Sequence, residues 1–221
     1  MAKPLAKDRL EGVRRTCNLN SQAHFKVPFI GDIEYPHQYG RAFHYFSYSA
    51  SCSEVEIDVL TGETSIVRAD VLYDAGRSLN PCIDIGQLEG GFVQGCGLML
   101  TEDLIYRSDG SLLSNGTWDY KPPCSKSIPI DFRVGLHYGS RHDPVTGEAL
   151  DFAAVLGSKR IGEPALVLST SVFFAVKHAI QAARVAAGSN DWFEMPAPAT
   201  VARVQQYRST PHSSLRLKTV R

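Results

Sequence analysis

Ser158-Lys159-Arg160-Ile161-Gly162-Glu163-Pro164-Ala165-Leu166 is the stretch around which the rest of the chain is organised. A carboxylate stands between a glycine and a proline, just where a long apolar segment begins. Proline suits a first helical position, because its φ is already helical and its missing N–H would be unbonded there. Glycine ahead of it lets the backbone turn sharply. The pattern predicts a rigid corner with Glu163 at the positive end of a helix from Pro164 to about Ala187, stopped by Gly188. Leu166, Leu168, Val172, Phe173, Val176, Ile180 and Ala183 would form its buried stripe, with Lys177, Gln181 and Arg184 largely opposite. Two roles fit such a carboxylate: an acid that offsets the helix dipole, or a positioned general base. For a base, burial would raise the pKa and the dipole would lower it. Lys159 and Arg160 would add to the lowering if they point inward.

Upstream of the corner the period changes. Ser53 to Val59 alternates acids with β-branched residues, Leu60-Thr61-Gly62-Glu63 supplies turn chemistry, and Thr64 to Asp74 returns as a second strand. The aromatic run Phe43 to Tyr48 would add a preceding strand and complete a β-meander. Asp74 to Pro81 breaks the pattern with turn residues. From Ile83 to Leu100 the spacing is helical, with Gly86, Gly90, Gly91, Gly95 and Gly97 set among apolar residues. Each interior glycine costs a helix about 1 kcal/mol relative to alanine. So many imply close approach of another backbone or of a ligand; a stripe packed on a second helix would account for most of them. Gln94 lies among these glycines, and a buried amide there needs partners for both donor and acceptor. A ligand with mixed polar edges would supply them, and so would neighbouring backbone. Asp84, Gln87 and Glu89 argue against a membrane helix.

A second hairpin is expected around Asp109-Gly110, a strand over Ile128 to Leu136, an exposed loop over Gly139 to Leu150, and a short helix over Val201 to Tyr207. Pro4 to Arg15 suits a short helix, and Phe25 to Gly40 an ordered loop. The expected organisation is a remnant element over 1–20, one subdomain over 21–207, and a frayed basic tail over 208–221. Antiparallel strands packed with the two helices define an α+β fold.

Composition narrows the function. The 221 residues carry 23 basic and 23 acidic side chains, so no net field favours nucleic acid or an anionic membrane. No apolar run of about 18 residues is present. Cys17, Cys52, Cys82, Cys96 and Cys124 are odd in number, widely spaced and form no C-x-x-C pair. That argues against a zinc site, an iron–sulfur cluster or a disulfide framework within this chain, and for buried, reduced thiols in a cytoplasmic or peroxisomal protein. No serine elbow, phosphate loop or metal-spaced histidine pair occurs.

Several segments together resemble one family. They are Gly40 to Phe46, Cys52 to Asp58, Ser78 to Pro81, Ile83 to Gly90, Phe92-Val93-Gln94-Gly95, Tyr120-Lys121, Ile128 to Phe132, and Gly162-Glu163-Pro164 with its Phe173-Phe174-Ala175 helix. In order and spacing, from about residue 9 to 205, they resemble the C-terminal part of the molybdopterin-binding domain of the xanthine dehydrogenase and aldehyde oxidase family. Pro164 and Ile128-Pro129-Ile130 tilt the resemblance towards the xanthine dehydrogenase branch. It implies a molybdenum hydroxylase acting on a purine such as hypoxanthine or xanthine, or on an aldehyde. It implies Glu163 as the general base, Gln94, Gly95 and Gly162 as cofactor-facing, and no residue here ligating the metal directly. It also implies FAD and two [2Fe–2S] clusters elsewhere in the full enzyme, an upstream half of the molybdenum domain, and a homodimer.

The chain departs from the family at Ala165, where a second proline is usual, and at Arg160, where a small residue is usual. The loop over Arg141 to Leu150 and the basic tail after Tyr207 also differ. With no flavin domain, iron–sulfur module or first half of the molybdenum domain in this sequence, the expectation is a segment inactive alone. A non-catalytic assembly module of the same fold is the competing expectation.

Overall fold

Acids alternating with β-branched residues do make a strand, and the turn residues after them make a hairpin. In the computed structural model, which describes residues 22–24, 43, 45–137 and 155–208, β1 (Ser49–Ile57) pairs antiparallel with β2 (Thr64–Tyr73). The chain divides into two compact units, Met1–His44 and Tyr45–Arg221, and every element described here belongs to the second. Asp58 closes the hairpin, its Oδ1 accepting from the N–H of Leu60 at 2.7 Å and of Thr61 at 3.3 Å. These backbone bonds hold the Asp58 carboxyl below the usual carboxylate range. The register shifts between Glu54 and Val55, which leaves Val67 as the extra residue of a bulge. The bulge explains why Ile66 and Ala69, three apart, are both buried together with Val71 and Tyr73.

The sheet corrects the expected meander. Its third strand is β3 (Asp131–Leu136), which lies parallel to β2 and gives the order β1-β2-β3. Tyr45 to Tyr48 are not in the sheet. No glycine, proline, asparagine or aspartate separates Tyr48 from Ser53, and the chain runs straight into β1, four residues before the expected start. A parallel neighbour needs a long crossover, and α1 (Pro81–Leu100) lies within it. Asn80 caps α1, its side chain accepting from Cys82 N–H at 3.2 Å, with Pro81 at the first position. The helix therefore starts two residues before Ile83. The hairpin expected at Asp109-Gly110 is reduced to one bridge, Tyr106 to Leu112, around a left-handed Gly110.

The long C-terminal helix is likewise two helices. α2 (Gly162–Leu168) and α3 (Thr170–Ala186) meet at Ser169. Three consecutive hydroxyls bend back there: Ser169 Oγ donates to Leu166 O at 2.6 Å, Thr170 Oγ1 to Val167 O at 2.8 Å, and Ser171 Oγ to Leu168 O at 2.9 Å. Side chains that capture carbonyls of the preceding turn compete with the helix ladder and bend it. Pro164 is the third residue of α2, not its first. Gly162–Ala186 is apolar enough by composition to cross a membrane, yet Val172, Val176 and Ile180 within it are fully buried in the core. α4 (Val201–Tyr207) forms where expected, with Thr200 accepting from Arg203 N–H at 3.4 Å.

The core has three clusters. Ile66, Ala69 and Val71 of the sheet meet Phe92 and Cys96 of α1 and Val172 of α3, and the Phe92 and Phe132 rings lie 5.2 Å apart. Val176 and Ile180 pack on Phe193, Met195 and Val204. Tyr73, Ala75 and Leu88 enclose Ile161 and Ala165, which seats the start of α2 on the end of β2. The helix expected over Pro4 to Arg15, the loops over Phe25 to Gly40 and Gly139 to Leu150, and the tail beyond Arg208 lie outside the described residues.

Candidate functional site

Glu163 is the second residue of α2 and its side chain faces solvent. The first-turn N–H groups of a helix have no intrahelical acceptors, so a carboxylate there sits in a favourable field. The partial burial expected for a base is not seen within this chain. Lys159 forms an ion pair with Asp74, and Arg160 is exposed.

The corner before Glu163 is held from outside. Leu156 and Gly157 take left-handed φ values of 53° and 76°. Arg77 N–H then donates to Gly157 O at 2.7 Å, and Lys159 N–H to Ala75 O at 3.0 Å. The hydroxyl of Tyr73 donates to Arg160 O at 2.5 Å, and the Arg160 N–H donates to the hydroxyl of Tyr45 at 3.0 Å. Tyr73 is fully buried, and burial pushes its phenol above the usual range. Sequence reading marked the bend but none of these partners.

α1 lies against α2 in backbone contact. A Cβ on Gly91 would come within 2.5 Å of Gly162 O and 2.9 Å of the Ala165 Cβ. One on Gly95 would come within 2.5 Å of Leu166 O and would also strike the Ser169 side chain. Gly95, expected to face a cofactor, is thus buried in the helix–helix contact. Gly162 is on the same seam, where a Cβ would lie 3.3 Å from Gln87 Oε1. Gln94 is exposed, and no protein group among the described residues bonds its amide. Gly86 and Gly90 have open space where a Cβ would point. Ile83, Gly86, Gln87, Gly90, Gln94 and Leu98 therefore make one open face on α1, beside the start of α2. Gln87 is the residue that sequence reading undervalued. The seven-residue spacing to Gln94, two helical turns, was the available signal.

The polar groups at this place are two amides and a carboxylate. They suit hydrogen bonding to an organic cofactor with polar edges, and Gly86 and Gly90 leave it room. Among the described residues no group of three or more His, Cys, Asp or Glu is set to ligate a metal.

The architecture is that of the molybdopterin-binding domains of molybdenum hydroxylases. The aldehyde oxidoreductase of Desulfovibrio gigas superposes with a TM-score of 0.58 at 23% identity, over 82% of this chain and 17% of that one. The chain belongs to the molybdopterin cofactor-binding domain family, whose model matches residues 4–129. Gln94 and Gly95 fall inside that match, and Gly162 and Glu163 beyond it. Among curated relatives, the xanthine dehydrogenase/oxidase of Rattus norvegicus is 44% identical over 190 residues, 85% of this chain. A probable aldehyde oxidase of Oryza sativa subsp. japonica is 46% identical over 166 residues, 73% of this chain. The chain spans 14% and 12% of the lengths of those two relatives.

Proposed function

We propose that this chain supplies the proton-accepting side of a xanthine dehydrogenase-type molybdenum centre, with Glu163 as general base in the hydroxylation of a purine such as hypoxanthine or xanthine. The observation that carries the reading is the placement of Glu163 on an externally pinned corner beside the open face of α1. A base has to be held where the proton leaves. When bound, molybdenum–molybdopterin supplies the two-electron redox chemistry. Gln94, and Gln87 one seam nearer Glu163, would bond its polar edges. Gly95 and Gly162 would act by keeping α1 and α2 in backbone contact, so that these side chains stay in register. The Glu163 carboxylate oxygens would take up the proton released as the purine C–H carbon is hydroxylated. Its exposure within this chain fits a site whose other wall comes from the remaining half of the molybdenum domain. In this reading electrons leave through [2Fe–2S] clusters and FAD on other parts to NAD, in a cytoplasmic or peroxisomal homodimer, and the chain alone is inactive.

Glu163→Gln in the complete enzyme tests this. Turnover of xanthine should fall at least 100-fold, within the roughly 10²–10⁴-fold range of general base catalysis, with cofactor content unchanged. Survival within tenfold of wild type would remove Glu163 from the mechanism. The likeness to the rice aldehyde oxidase favours a second reading, an aldehyde substrate at the same centre. Competing purine and aldehyde in one assay separates the two.

A further inference from the structure

We infer that the Asp74–Lys159 pair is the positioning element for Glu163, an inference that rests on the proposed role of Glu163 as base. α2 has a glycine, an acid and a proline in its first turn but no side-chain cap. Its seven residues follow Ile161, which makes no side-chain cap bond. Immediately upstream, Leu156 occupies the left-handed region that favours glycine, a conformation that persists only where surrounding contacts impose it. The structure places those contacts on the end of β2. Gly76 pairs antiparallel with Ser158, and Asp74 joins the two segments through both carboxylate oxygens. Oδ1 accepts from Gly76 N–H at 2.9 Å, and Oδ2 accepts from Lys159 Nζ. The side chains of Lys159 and Asp74 are only 8% and 14% exposed. Two charges withdrawn from water hold each other closely, because either one left alone would be uncompensated. Lys159 is thus fixed at both ends, by its N–H on Ala75 O and its ammonium on Asp74. Arg160 is fixed next to it by Tyr73 and Tyr45. Glu163 follows three residues past the last pinned point. With Lys159 neutralised by Asp74, the pair serves Glu163 through geometry and not through charge.

A pair that only stabilises the fold would be replaceable on both sides by neutral groups of similar size. The test is therefore the double variant Asp74→Asn/Lys159→Met in the full-length protein, beside Lys159→Arg and Glu163→Gln. Turnover, KM and molybdopterin content are measured on the loaded enzyme, and amide hydrogen exchange over residues 157–163 on the cofactor-free protein. The double variant should keep its cofactor and its KM within twofold and lose at least tenfold in kcat. Amides 157–163 should exchange at least tenfold faster, with the β1–β2 amides unchanged. Lys159→Arg should restore most of both. Turnover within twofold of wild type, or unchanged exchange at 157–163, would overturn the assignment. Should the double variant not fold, Tyr73→Phe removes only the hydroxyl on Arg160 O and is judged by the same two readouts. If Glu163→Gln keeps full turnover, the base assignment fails, while the exchange rates still decide whether the pair holds the corner.

Discussion

The two faces of α1 use the same residue type for opposite ends. On one face Leu88, Gly91, Phe92, Gly95 and Cys96 are buried, and the glycines let a second backbone approach where no side chain would fit. On the other, Gly86 and Gly90 stand open between Ile83 and Leu98, which are 59% and 49% exposed. Glycine spacing alone does not distinguish the faces; alignment with the large apolar residues does. Gly91 and Gly95 fall in step with Leu88, Phe92 and Cys96, whereas Gly86 and Gly90 fall in step with the glutamines.

That contrast can be broken by substitution. On the buried face Phe92→Ala should have the largest effect, about 3–5 kcal/mol lost from unfolding by denaturant. Gly95→Val should follow at about 3 kcal/mol, because its new atoms meet the Leu166 carbonyl, which cannot yield, as well as the Ser169 side chain. A loss below 1 kcal/mol at Gly95 would mean that the helices separate easily and the seam is not tight. On the open face the sign reverses. Gly90→Ala should stabilise by about 1 kcal/mol, seen as a Tm rise of about 2–4 °C, while lowering the molybdopterin content of the purified enzyme. A more stable variant with full cofactor content would show that this face receives nothing. The mildest probe is thiol labelling. Burial pushes the Cys96 thiol up to about 12, whereas the Lys126 N–H and the Ser127 hydroxyl hold the exposed Cys124 thiol below its usual value. A lowered value means more thiolate at neutral pH. Iodoacetamide should therefore modify Cys124 in the native protein and Cys96 only after unfolding, and similar rates at both would contradict the buried face.

Much of this was legible in the sequence, for local reasons. Period-two alternation and Leu60 to Glu63 specify the hairpin, and helical spacing from Ile83 specifies α1, though Asn80 and Pro81 read as turn residues and not as its cap and first position. The bend at Glu163 follows from its glycine and proline neighbours. What escaped depends on partners far along the chain. Ser169, Thr170 and Ser171 read as tolerable helix residues, and only their carbonyl bonds, with Ser51 Oγ donating to Leu168 O at 2.8 Å, show why the helix divides there. Ile128 to Leu136 reads as a strand, but parallel pairing to β2 depends on the crossover and not on its own residues. At the site, Asp74 reads as a turn residue and Lys159 as a possible influence on the Glu163 pKa. Their pairing is a tertiary fact that neither segment encodes alone.

The parallel pairing of β2 with β3 also sets an order of assembly. Ile57 and Thr64, which begin the hairpin ladder, are seven positions apart, whereas Arg68 and Asp131 are 63 apart. Closing the longer loop costs about 2 kcal/mol more in chain entropy. The hairpin can therefore form while β2 still has an unpaired edge, and that edge stays available to wrong partners until the crossover is complete. Tyr73 and Asp74 lie at the far end of that same strand. The corner that carries Glu163 can only be anchored once β2 is in place, so its anchoring depends on the hairpin.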